Sequence, residues 1–479
     1  MLFNSLLFLA FFPVVTALYF ASPHRWRWLV LLAASNYFYA TLLPRYLVVL
    51  WGIILVDFFV ALRMERSTGR ARQGLLIASI VANLGTLFVF KYANFFAASL
   101  AGVAEAVGVP VSVPVLSLIL PLGLSFHTFQ SIAYTVEVYR GRVPAERHLG
   151  IFALYVMFYP QLVAGPIERP QHLLPQFRVH HQFSWAGLLD GMTIMLFGFF
   201  KKVVVADRLA LVVEPIYHHP EQHGAAALLV ATYAFAIQIY CDFSGYTDIA
   251  RGAAKAMGIS LIENFNRPYF AESVRDFWRK WHMSLTSWFR DYVYLPLGGN
   301  REGITRGYLA VILVFLLSGL WHGANWTFVL WGLLHGSFVV AGRLTDPIRA
   351  RARDALGLAS SRAYALWRCF ATFNLVAFAW IFFRAESVHD AFIIVRRILT
   401  VAPSVAADEI LLPSVHWAVT FGAIAGLIVV EMKTTPDLLR SALVRQPVIL
   451  RWGLYYATIV GILAFGAFEN PARFIYFQF

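Results

Sequence analysis

The chain has 479 residues, of which 59% are hydrophobic and only 14% charged, with a mean hydropathy of +0.65, a composition that excludes a soluble globule and marks a polytopic membrane protein. The net charge of +13 does not point to a nucleic-acid partner, because the basic residues lie in short clusters between apolar runs, as in loops beside anionic lipid. Cys241 and Cys369 are the only cysteines and both adjoin apolar runs, so neither a disulfide scaffold nor a cysteine metal site is supported.

A helix needs about 20 apolar residues to cross a bilayer, and on that rule the first spans are predicted at 2–20, 28–42, 46–62 and 74–98. The first lacks a basic n-region and a small-residue cleavage site, so it reads as a membrane helix rather than a removed signal peptide. Lys91 in the fourth either snorkels to an interface or faces protein. Arg63, Arg66, Arg70 and Arg72 make the loop after the third span cytoplasmic, which puts the N-terminus outside. A fifth span at 114–136 returns the chain to Arg140, Arg142 and Arg147 inside, and only Arg45 runs against the pattern.

Beyond this point the spans become irregular. Tyr159-Pro160-Gln161-Leu162-Val163-Ala164-Gly165-Pro166 ends an apolar helix with two prolines, as a re-entrant element lining protein or water would. Further runs at 186–200, 225–241, 307–342, 369–383, 414–430 and 452–468 bring the total to 11 or 12 membrane segments. The expected fold is therefore an all-α polytopic membrane protein, a single integral-membrane domain over 1–479. No strong internal repeat is present, which disfavours the repeat-built transporters.

The stretch from Glu263 to Arg301 interleaves Arg275, Arg279, Lys280 and Arg290 with Trp278, Trp281, Trp288 and Tyr292, the pattern of an amphipathic helix at the bilayer interface. Asp276 and Lys280 are spaced to pair. His282 falls on one helix face with Arg275 and Trp278, either bonded to its surroundings or reaching inward.

The run 307–342 has no charged residue, yet His322 sits near its middle. An ionisable residue inside a membrane is a functional-site hypothesis by default, and the plain rival is a histidine hydrogen-bonded to a neighbouring helix. The run is too long for one ordinary span. A long tilted helix would bury His322, whereas two spans hinged at Gly323 to Asn325 would leave it near a membrane face. On a continuous helix His335 would lie about 20 Å from His322, too far to share a metal whose ligands sit about 2 Å from the ion unless the hinge folds back. No metal-binding, phosphate-loop or nucleophile-turn motif occurs elsewhere, and no metal is predicted. Ser318, one turn before His322, reads as structural, since no third group is seen to orient a nucleophile's base. Of the polar set Gln238, Asp242, Ser244, Tyr246 and Asp248, Asp248 reads as the cap of a helix over 249–257, while Asp242 is left open between capping, cation binding and orienting an imidazole.

Arg275-Asp276-Phe277-Trp278-Arg279-Lys280-Trp281-His282-Met283-Ser284-Leu285, with Trp288 to Tyr292, Leu295 to Asn300 and Ser318-Gly319-Leu320-Trp321-His322-Gly323, resembles the signature of the membrane-bound O-acyltransferases. The resemblance extends to Pro121 to Phe126, Phe158 to Ile167, Asp242 to Asp248 and the terminal Phe474 to Phe479, and is closest to the bacterial branch that O-acetylates exported polysaccharides such as alginate, with the teichoic acid D-alanyl transferases more distant. It implies a ring of membrane helices around a thinned centre, where a cytoplasmic donor route meets an external acceptor route. It places the catalytic histidine at His322 and the second important histidine at His282, with Trp321, Asn325, Trp278, Arg275 and Asp242 as candidate substrate-binding side chains. His127 is left as structural.

The implied reaction moves an acyl group, expected to be acetyl, from a cytoplasmic thioester to hydroxyls of an exported polysaccharide. Acetyl-CoA is the expected donor and no cofactor is permanently bound. Transfer is direct or passes through periplasmic acetyl-transfer proteins of a modification complex. The chain is expected in the bacterial inner membrane, in contact with lipid. A transporter or flippase and a non-catalytic scaffold of an export complex are the rival readings.

Overall fold

The computed structural model describes residues 1–109, 111, 113–163, 165–299, 301, 303–400, 414–468 and 474–475. Ala164, Asn300 and Tyr476 to Phe479 of the motifs above lie outside the described residues. The described chain is 78% helical and without strands, and eight helices in it are long and apolar enough to cross a bilayer, with the shorter apolar helix Leu6–Ala21 beside them. It divides into two compact units, one of residues 1–195 and 249–262 and one of 196–248 and 263–479.

In the first unit, Leu47–Glu65 packs against Gly69–Leu87 and Leu124–Tyr139. The three are tied by polar groups that no lipid tail could satisfy. Asp57 accepts bonds from Ser79 Oγ at 2.6 Å and Asn83 Nδ2 at 2.9 Å, and Ser79 also meets Thr135 at 3.1 Å. Gly69–Leu87 continues through a π-turn at Phe88–Tyr92, which carries Lys91, into Ala93–Ala106. The predicted fifth span is corrected: residues 113–121 are not helical, and the helix is Leu124–Tyr139, buried along most of its length. Pro121 and a left-handed Gly123 start it late. The helix Leu149–Met157 ends, as expected, at the Tyr159-Pro160 turn. After this turn the buried Glu168 accepts the Ile262 amide at 2.7 Å and pairs with His172 at 2.7 Å. Burial pushes the Glu168 carboxyl upward, and its bond to His172 raises that imidazole.

In the second unit the 36-residue uncharged run is a hairpin. Ile304–His322 ends at extended Gly323, and Asn325 caps Trp326–Ala355 by accepting the Thr327 amide at 3.1 Å. The two helices approach backbone to backbone: a Cβ on Gly319 would meet Phe328 O at 2.2 Å, and one on Gly332 would meet Phe315 O at 2.2 Å. Small residues at such a crossing let helices dock where lipid offers no hydrophobic drive. Arg362–Arg384 packs on the second arm. Val448–Phe465 buries none of its apolar window inside the protein, consistent with a lipid-facing helix.

Candidate functional site

The expected single helix through Arg275 and His282 is corrected. Val274–Lys280 stops at extended Trp281, and His282 adopts the left-handed conformation at φ 42° before Met283–Phe289 begins. The predicted pair Asp276–Lys280 is formed at 2.8 Å. The aromatic side does not lie in a lipid interface, because Phe277, Trp278, Trp281, Trp288 and Phe289 are all buried in protein. The rings of Phe277, Trp278 and Trp281 join those of the hairpin and of Arg362–Arg384 in one core.

This break places His282 against the hairpin. Its ring is 6.0 Å from the Trp321 ring, and Trp321 is 4.9 Å from its neighbour His322. The two histidines therefore flank one indole. His322 is only 3% exposed and is enclosed by Trp321, Trp331 at 5.0 Å and Phe383 at 5.3 Å. The hinge at Gly323 to Asn325 is present, and His322 beside it is nonetheless enclosed by protein. Burial pushes the His282 imidazole down to about 3, so it is neutral at physiological pH.

Folding back also overturns the long separation of His322 from His335. Trp331 touches both rings at 5.0 Å. His335 Nδ1 accepts the Trp278 indole N–H at 3.2 Å, which anchors Trp278. Among the described residues no group of three or more His, Cys, Asp or Glu side chains is placed to hold a metal ion.

Asn325 does more than cap its helix, since its Nδ2 donates to Glu386 O at 3.0 Å. Arg275 lines a cavity of about 480 Å³ with Arg279, Arg290 and Arg343, while Trp278, Phe315 and Ser318 form part of its apolar wall. Ser318 lies one turn from His322, and neither histidine lines the cavity itself.

Asp242 lies in a buried charge cluster. Lys202 Nζ is 2.6 Å from Asp242 and 2.7 Å from Asp207, and the Ile475 amide donates to Asp242 Oδ2 at 2.7 Å. Phe474 stacks on Tyr246 at 4.2 Å, so two of the resembling motifs meet here. Asp248 is not a cap: the helix Ala225–Ala256 runs straight through it, and its carboxylate pairs with buried Lys201. The two lysines were passed over in the sequence. Their signal was a Lys-Lys pair directly after an apolar run, facing two aspartates in another. Asn264, which bonds His282, carried no such signal.

The chain matches the membrane-bound O-acyltransferase family over residues 146–384. It is 40% identical over 395 residues to a probable alginate O-acetylase of Pseudomonas aeruginosa, covering 82% of this chain and 73% of that protein. The chain belongs to the membrane-bound O-acyltransferase family. The chain is also similar to the peptidoglycan O-acetyltransferase of Helicobacter pylori, 35% identical over 82% of this chain and 78% of that protein. The teichoic acid D-alanyltransferase of Bacillus subtilis is 26% identical over 71% and 84%. Both residues of the histidine pair and all four arginines of the cavity fall within the matched region of this O-acyltransferase.

Proposed function

We propose that this acyltransferase moves an acetyl group from acetyl-CoA, through the membrane, toward hydroxyls of an exported polysaccharide. The names of its relatives support a glycan acceptor. The observation that carries the site assignment is the pairing of His282 and His322 across Trp321. His322 acts as the general base, accepting the proton of the attacking hydroxyl at an imidazole nitrogen and returning it to the leaving thiolate. His282 orients donor or acceptor, with Trp321 between them holding the spacing. Trp278 and Asn325 hold the walls, and Asp242 fixes the supporting helix.

Arg275, Arg279, Arg290 and Arg343 give the donor's phosphates a cationic mouth, and the apolar wall leads the thioester arm to Ser318, one helical turn before His322. The loop with Arg63 to Arg72 faces the cytoplasm of the inner membrane and the N-terminus faces the periplasm. There a separate acetyl-transfer protein takes the group on to the polymer.

Purified enzyme with labelled acetyl-CoA and polysaccharide, or the partner protein, tests this. His322→Ala should lower turnover about 10²- to 10⁴-fold, the usual scale of general acid-base help. Normal turnover by that variant would sink the assignment. Flux of substrate without covalent change would favour a transporter instead.

A further inference from the structure

The polar shell around the His282 ring decides which of its nitrogens carries the proton. Asn264 is 1% exposed and His282 fully buried. Asn264 Oδ1 is 3.2 Å from the Ser284 backbone nitrogen, 2.9 Å from Ser284 Oγ and 3.1 Å from His282 Nδ1. A backbone N–H can only donate, so the Asn264 atom facing it must be the amide oxygen, and a flipped amide would set two donors against each other. That oxygen also faces Nδ1. Ser284 Oγ is 3.5 Å from Nδ1, but its hydroxyl lies closer to Asn264 and gives its proton there. Both of these oxygens therefore face Nδ1 as acceptors.

Asn264 also holds the backbone. Its carbonyl accepts the Met283 amide at 3.0 Å, and nearby the Asn266 amide donates to Lys280 O at 2.9 Å. The segment 264–266 thereby clamps both sides of the left-handed residue. A non-glycine residue in that region is strained, and it persists only where its surroundings over-determine it.

We propose that Asn264 is a positioning residue that fixes His282 as the Nδ1–H tautomer, so that Nε2 carries the lone pair presented to substrate. The donor from substrate is then a hydroxyl or amide N–H at Nε2, and His282 serves as an acceptor there and not as a cation. This rests on His282 belonging to the site.

The test is long-range ¹H–¹⁵N NMR of the full-length protein labelled with ¹⁵N-histidine, with the His282 ring assigned by its loss in His282→Gln. The parent should show protonated Nδ1 and bare Nε2. Asn264→Ala should replace that pattern with mixed tautomers and lower kcat about 10- to 100-fold, the scale for residues that orient a functional histidine, with a smaller change in KM for acetyl-CoA. A parent spectrum with the proton on Nε2 would overturn the proposal even if Asn264→Ala fails to fold, as would an Asn264→Ala spectrum and kcat unchanged from the parent. A fully active His282→Gln would instead remove the reading beneath it.

Discussion

The crossing of the hairpin makes the site sensitive to a single methyl group placed outside it. A Cβ on Gly332 would lie 2.2 Å from Phe315 O and 3.4 Å from Gly319 Cα, and ordinary contact begins at 3.4 Å. Relieving the first contact requires the backbones to part by 3.4 − 2.2 = 1.2 Å. The preceding residue, Trp331, touches His322, so this separation is delivered to the imidazole. Overpacking of this kind costs about 1–3 kcal/mol, whereas a misplacement of about 1 Å can cost about 10²-fold in rate. Gly332→Ala should therefore fold with a modestly lower Tm and lose turnover by about two orders of magnitude. Gly342→Ala, on the same helix with nothing within 4 Å of its Cβ, is the control and should be as active as the parent. Tryptophan-monitored melting and transfer of labelled acetyl groups, both on purified protein, measure the two effects. Gly332→Ala with parental Tm and turnover within about twofold of the parent would refute the link between the crossing and His322.

Lys202→Met should cost about 3–5 kcal/mol in chemical denaturation, because it leaves Asp207 and Asp242 buried without their cation; adding Asp242→Asn should recover part of the loss. The His282 imidazole titrates near 3 in the folded protein against an ordinary 6.5. The unfolded chain therefore takes up the proton first, and stability present above pH 6.5 is lost as pH falls toward 3. The loss is about 1.4 kcal/mol per unit, or about 2 kcal/mol by pH 5. Melting curves of His282→Gln should decline less steeply between these values than those of the parent.

What could be read from the residues was mostly what is local to them. The uncharged run announced His322, and Gly323 to Asn325 marked the hinge of one of the two geometries its length allowed. Spans such as Leu47–Glu65 followed from apolar length alone. The break at His282 was hidden because no glycine or proline marks it: the clamp that forces it is Asn264, well upstream in sequence. Asp248 was misread as a cap because its true partner, Lys201, belongs to another segment, and a helix end is the usual reason for an aspartate there. Burial of His322 beside its hinge was likewise set by Phe383, which lies on a different helix. These three misses concern pairings between distant parts of the chain, where periodicity is silent; the late start of Leu124–Tyr139 was a local one, set by Pro121 and Gly123.

The left-handed histidine carries an evolutionary consequence. At φ 42° a glycine or asparagine would sit with less strain than an imidazole. Selection for thermal stability alone would thus tend to replace His282 with a residue that cannot do its work. Position 282 is where fitness for folding and fitness for turnover point in opposite directions. A library passed through a heat challenge before any activity screen should lose histidine there first.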